Sequence, residues 1–291
     1  MARISVEHRT LYTYDPAVSV TYSEARMTPR SDAEQKVLES SLRVDPHPPG
    51  VEVHRDYWGT QVHTFDLHIP HAHLEVVSTA LVEVSRREGE AEGTLDAEAL
   101  ASAEIVDRFS DYLPQTRLSE PGEEVRRAAQ ELSGRRRPTE TAHARRPAET
   151  AHAVFGWLRE QMTYERGATG VHHSAEAAFA ERRGVCQDLS HLGIGALRSL
   201  GIPARYVSGY IHPQPQAELG TTVSGESHAW LEWWDGRWHS WDPTNHSRAT
   251  DHHVIVGRGR DYADVTPFKG ILAGAGSRAQ LTAEVKVTRH A

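Results

Sequence analysis

RGVCQDLSHLGIGALRSLGIPARYVSGY, residues 183–210, decides how the rest of the chain is read. Leu189, Leu192, Ala196, Leu197 and Leu200 recur at helical spacing and predict a buried stripe. Gly184 breaks whatever precedes them, and Gly201 with Pro203 ends the helix in the order that helix termini favour. Ala204 to Tyr210 then resumes with β-favouring residues. Cys186, the one cysteine among 291 residues, therefore stands at the start of a buried helix. The positive end of the backbone dipole and the unpaired N–H groups there favour thiolate, the reactive form of the side chain. A lone cysteine forms no internal disulfide, and a buried one also serves as a small hydrophobe, so its surroundings decide its role.

Downstream, Glu226–Trp234 and Arg237–Asp242 read as two strands around Asp235-Gly236, a strong hairpin signal. A thiol nucleophile needs a base, and the base works best when a third group fixes its tautomer. His228 in GESHAW and Asp242 in SWDPTN are the candidates. A plain two-residue turn would set Ala229 opposite Asp242 and put His228 and Asp242 on different faces. One more residue, through a three-residue loop or a bulge, sets Trp230 opposite Asp242 and makes His228 and Asp242 diagonal neighbours. The odd loop is therefore the expectation. Five tryptophans, Trp230, Trp233, Trp234, Trp238 and Trp241, crowd this hairpin and read mainly as cross-strand pairs and core, with one or two walling the site.

Working outward, residues 148–162 place Val154, Phe155, Leu158 and Met162 on one helical face. A shorter helix, Ala175–Arg182, follows Ser174 as its N-cap. Residues 2–85 alternate in polarity between turns such as Asp15-Pro16 and Pro48-Pro49-Gly50, the pattern of antiparallel strands. From Glu88 to Arg146 the composition shifts to Ala, Glu and Arg, which reads as short helices and linker. After Asp242 a loop holding His246, His252 and His253 is expected, and a strand over Gln280–Thr288 closes the chain. The plan is α+β: an antiparallel β domain over 1–87, a helical and linker region over 88–146, and over 147–291 a core whose nucleophile helix packs on an antiparallel sheet.

RRGVCQDLSHLGIGALRSLGIPARYVSGY, SHAWLEWW and WDPTNH resemble the three core motifs of the transglutaminase-like superfamily. VEHRTLYTYDPAVSVTYSEARMTPR is similar to the N-terminal β domain of its bacterial members, and GRDYADVTPFKGILAGAG to their C-terminal segment. The resemblance implies a papain-like core in which Cys186 is nucleophile, His228 base and Asp242 orienting carboxylate. It implies acyl transfer through a thioester: hydrolysis of a peptide or protein amide, or transfer of the acyl group to an amine acceptor. An oxyanion hole needs a second donor besides the Cys186 N–H, and Tyr164 and Trp157 are the candidates, with Trp230 a candidate wall. Asp188 reads as a first-turn cap. A different class of reading is a peptide-binding module on the same fold that lacks catalysis.

Nineteen histidines invite a metal, but no HExxH or cysteine-rich zinc spacing is present, and His68, His71, His73, His172, His173, His252 and His253 read as surface or turn residues. His191 lies about 140° around the helix from Cys186 and is a poor base for it. No metal or cofactor is expected, and no EF-hand-like loop calls for calcium. The formal net charge of -8 gives no electrostatic reason for a nucleic-acid or anionic-membrane partner, and the arginines at 135–137, 145 and 146 read as a solvated connector. With no apolar leader or long apolar segment, a cytoplasmic location is the expectation.

Overall fold

The computed structural model describes residues 1–86, 93–134, 145–214, 216–225, 227–273 and 278–291. The alternating N-terminal segment forms β1 (Ala2–Val18), β2 (Val20–Ala25), β3 (Gln35–Asp45), β4 (Glu52–Arg55), β5 (Gln61–Leu67) and β6 (His71–Val84). Helices α1 (Ala97–Leu100), α2 (Ala103–Arg108) and α3 (Glu123–Leu132) follow, then α4 (Pro147–Gln161), β7 (Thr163–Tyr164), α5 (Ala175–Glu181), β8 (Arg183–Gly184) and α6 (Cys186–Ser199). The rest is strand: β9 (Ala204–Ile211), β10 (Thr222–Gly225), β11 (His228–Trp234), β12 (Trp238–Trp241), β13 (His253–Gly259), β14 (Phe268–Ala273) and β15 (Arg278–Arg289). The fold is α+β with antiparallel main sheets. Ser174 caps α5 as expected, its hydroxyl accepting the Ala177 N–H at 3.2 Å.

The strands make three principal sheets, in the orders β10-β15-β1-β6-β3, β14-β2-β5-β4 and β12-β11-β9-β13. The closing strand, grouped with the catalytic portion in the sequence reading, pairs along β1 from Ile4–Arg289 to Asp15–Arg278, and β14 pairs with β2. The C-terminus thus completes both N-terminal sheets. Tyr14, Met27, Phe65, Leu67 and Leu74 form the core of that part. A second cluster joins Ile4, Val6, Val82 and Val287 to Tyr210, Val254 and Val256 of the third sheet, so the two parts share buried surface. Among the described residues no helix is long and apolar enough to cross a membrane. The boundary expected at Arg87 and the arginines at 135–137 lie outside the described residues, while Arg145 and Arg146 are exposed.

Helix α6 packs on β9 and β11 and is flanked by α3, α4 and α5. It is buried almost all round, which exceeds the single stripe read from its leucines. Two glycines permit this: a Cβ on Gly193 would lie 2.5 Å from Leu231 Cδ2, and one on Gly195 only 1.9 Å from the Ser119 carbonyl oxygen. Arg198 locks the far end. Its guanidinium donates to the carbonyls of Ala204, Pro114 and Arg260 and to Ser119 Oγ, at 2.8–3.2 Å. Arg198→Met strips donors from several buried oxygens at once, so it is expected to cost about 3–5 kcal/mol and to lower Tm by more than 5 °C in a thermal melt, on the order expected for a chain of this size. An unchanged Tm would contradict this reading.

Candidate active site

The hairpin turns through three residues, Asp235, Gly236 and Arg237, and pairs Trp234 with Trp238 and Leu231 with Trp241. This is the odd loop expected from the Cys-His-Asp requirement. Gly236 has φ +113°, where a side chain is strained. The buried Asp235 carboxylate takes a 2.6 Å bond from the His239 ring, which pins the loop. The paired register ends at Leu231–Trp241, one residue short of Asp242, which bridges to Ser247, and His228 Nε2 lies 2.7 Å from Asp242 Oδ2. The Cys186 thiol, half-buried at the first turn of α6, faces the same cleft as His228 and lies near enough to raise the pKa of the imidazole, whose Nδ1 is not used by Asp242.

Asp242 is fully buried and heavily solvated by the protein itself. Oδ1 accepts the backbone N–H groups of Thr244 (3.0 Å) and Asn245 (3.2 Å), and Oδ2 accepts Asn245 Nδ2 at 2.7 Å. Burial favours the neutral acid, but bonds and charge from His228 and His253 outweigh it and hold the carboxyl well below the usual range. Burial likewise opposes a charge on His228, yet its hydrogen bond to Asp242 and the nearby Cys186 hold its pKa well above the ordinary value. The arrangement therefore favours an imidazolium held against the Asp242 carboxylate.

His253 is the residue the sequence reading missed. It opens β13 instead of lying in a loop, it is 2% exposed, and its Nε2 lies 3.1 Å from the same Asp242 Oδ2. The His228, Asp242 and His253 ligand-type atoms fall within 4.8 Å of one another, as in a metal site. However, the Thr250 N–H points at His253 Nδ1 at 3.0 Å, so the ring hydrogen sits on Nε2, which then donates to Asp242 and has no lone pair for a cation. His71 is also buried, contrary to the surface reading. His191 is buried and accepts the Tyr262 N–H at 3.2 Å, and burial with nearby Arg198 pushes its pKa down to about 3, so it stays neutral.

Cys186 and His228 open onto a cleft of about 400 Å³ lined also by Tyr164, Thr169, Gln187, Tyr206, Ser208, Ser224 and Tyr262. Strand β10, inside what reads as a polar loop, forms part of its rim. Tyr164 is in the lining and 42% exposed. Trp157 is not there: it packs on Phe179, ring centroids 5.5 Å apart, because its side of α4 faces the helices. Trp230 is not a wall either. It is fully buried beneath His228, centroids 6.0 Å apart, in a cluster with Val207, Ala249 and Ile255. Of the other hairpin tryptophans, Trp233 and Trp234 are core and Trp238 and Trp241 pack half-buried against it: Trp234 lies 4.5 Å from Phe109 and Trp241 stacks on Phe155 at 5.2 Å.

Tyr206, on β9, was not singled out by the sequence. It lines the cleft close to Cys186. Burial, then the neighbouring sulfur, raises its pKa well above the ordinary value, so the hydroxyl keeps its proton. The Cys186 N–H has no carbonyl one turn back to bond, as for any first helical residue. Asp188, buried, accepts the Val185 N–H at 2.8 Å and the Thr169 hydroxyl at 2.5 Å, which is the capping role expected of it.

Residues 4–83 match the bacterial transglutaminase-like N-terminal region, and residues 135–243 the transglutaminase-like superfamily core. An uncharacterized protein of Mycobacterium leprae is 40% identical over 291 residues, with 100% of both chains covered. Uncharacterized proteins of Mycobacterium bovis and Mycobacterium tuberculosis are 29% identical over 298 residues, covering 93% of this chain and 87% of theirs. Among solved structures, a Cytophaga hutchinsonii protein provisionally named a cysteine protease superposes with a TM-score of 0.70 at 20% identity, covering 99% of this chain and 98% of that one. Matched across both its N-terminal strands and its cysteine-helix core, the chain belongs to the transglutaminase-like superfamily.

Proposed function

We propose that the protein is a cysteine-dependent amide hydrolase or acyl transferase. The observation that carries this reading is the convergence of Cys186 and His228 in one cleft, with the His228 imidazole bonded at 2.7 Å to the buried Asp242 carboxylate. Cys186 Sγ, its proton held by His228, attacks the carbonyl carbon of a peptide or protein amide. The oxyanion forms against the Cys186 N–H and the Tyr206 hydroxyl. His228 gives its proton to the nitrogen as the C–N bond breaks, the amine leaves, and a thioester remains on Cys186. Water, or an amine acceptor, then attacks that thioester after giving a proton back to His228. Asp242 keeps the imidazole oriented and stabilises its charged form throughout.

A panel of peptide amides incubated with and without hydroxylamine tests this reading. Turnover to acid, and to hydroxamate when hydroxylamine is present, is expected. Absence of both across the panel with correctly folded protein would count against an enzyme. Tyr206→Phe keeps the ring that packs on His191 and removes only the hydroxyl. It is expected to lower kcat about 10²-fold with little change in KM, the size seen for loss of one oxyanion donor. Wild-type kcat in that variant would move the second donor elsewhere.

A further inference from the structure

We infer that His253 is a positioning residue of the triad, a permanently neutral hydrogen-bond donor that shares Asp242 Oδ2 with His228 and sets how tightly the carboxylate holds the imidazolium. This rests on the reading of Cys186, His228 and Asp242 as one catalytic unit. Two imidazoles reach one oxygen, at 2.7 Å from His228 and 3.1 Å from His253. They are not equivalent. His228 has its second nitrogen for the thiol, whereas His253 Nδ1 is occupied by the Thr250 N–H at 3.0 Å. Taking up a proton at Nδ1 would set two N–H groups against each other. The surroundings oppose it further. Arg86, from beyond β6, donates to the His253 carbonyl at 2.6 Å, His228 lies with its ring centroid 6.1 Å away, and Trp230 covers the ring edge-on at 5.2 Å. Burial and the two nearby cations push the His253 pKa down, and Asp242 does not make up the difference.

A neutral donor suits this position. It supplies the carboxylate with a bond without cancelling its charge, as a lysine or arginine would, and so leaves the full negative charge for His228. At the same time, a carboxylate that accepts more donors is a weaker base. That keeps the proton on His228 Nε2 rather than on Asp242, while Nδ1 remains free to exchange its own proton with the thiol and the leaving amine.

The test is a ring 1H–15N NMR titration of histidine-labelled protein from pH 5 to 11, on wild type, His253→Phe and His253→Gln. In the wild type, His253 is expected as the Nε2–H tautomer with no ionisation step across the range. In His253→Phe, which keeps an aromatic ring against Trp230, the His228 step is expected to move up by roughly half to one pH unit, the equivalent of one hydrogen bond. His253→Gln, whose amide can donate to Oδ2, is expected to return it to within a few tenths of a unit. A His253 that titrates or carries its hydrogen on Nδ1, or a His228 step unmoved in the Phe variant, overturns the inference. Should His253→Phe not fold, the wild-type tautomer and the Gln variant still decide. None of these readouts needs turnover, so a failed amide panel and a failed positioning role are told apart.

Discussion

Cys186→Ala is expected to lose amide hydrolysis and acyl transfer completely, a fall of at least about 10⁴-fold in kcat/KM, because removing a nucleophile leaves only binding and oxyanion stabilisation. The change is mild for the fold. The thiol is half-buried at a helix end, and the Cys186 carbonyl that accepts the Ser190 hydroxyl at 2.7 Å is untouched. Tm is therefore expected to stay within a degree or two. Cys186 is the sole cysteine, so intact mass after iodoacetamide should show one adduct on wild type and none on the variant. Turnover retained in Cys186→Ala would end the thioester mechanism.

Asp242→Asn is expected to reduce kcat by about 10³–10⁴-fold, as loss of the orienting carboxylate does in unrelated triads. The reason here is specific to its five donors. Whichever oxygen becomes NH2 meets N–H groups already aimed at it, either two from the backbone or those of His228, His253 and Asn245. The variant must break one set, and it no longer supplies a charge for the imidazolium. Stability changes with a defined sign. Asp242 has a pKa depressed in the folded state, so its ionisation contributes stability that is present above the unfolded value of about 4 and is withdrawn as pH falls through the folded value. The stability gap between wild type and Asn variant should therefore be full near pH 7 and shrink below about pH 4, in denaturant titrations run at several pH values. A gap independent of pH would show that Asp242 does not act as a buried carboxylate.

Much of the candidate site was legible because a Cys-His-Asp arrangement constrains register. Requiring His228 and Asp242 on one face of a hairpin dictated an odd loop, and Asp235–Arg237 supplies it. The cysteine helix was readable from its leucine spacing and the Gly201–Pro203 stop, though not its burial on every side, which depends on Gly193 and Gly195 meeting residues distant in sequence. Strand β13 was missed. The paired histidines and the nearby glycines read as loop, while the run Val254-Ile255-Val256 was the strand signal that could have placed His253. The partner of β15 was beyond a local reading, since β-pairing across more than 260 residues leaves no mark on either strand beyond alternation. Tyr206 was hidden for a related reason. A tyrosine in a central strand reads as core, and only the position of Cys186 against β9 turns it toward the cleft.

The central claim is that His228 activates the Cys186 thiol. The rate of Cys186 alkylation by iodoacetamide, followed by intact mass at pH 6 in wild type and His228→Ala, tests it most directly. Wild type is expected to react at pH 6 at least tenfold faster than His228→Ala, with the difference narrowing as pH rises toward 10 and the thiol ionises without help. Equal rates at pH 6 in the two proteins would contradict the account, leaving a thiol and an imidazole that are adjacent but not coupled.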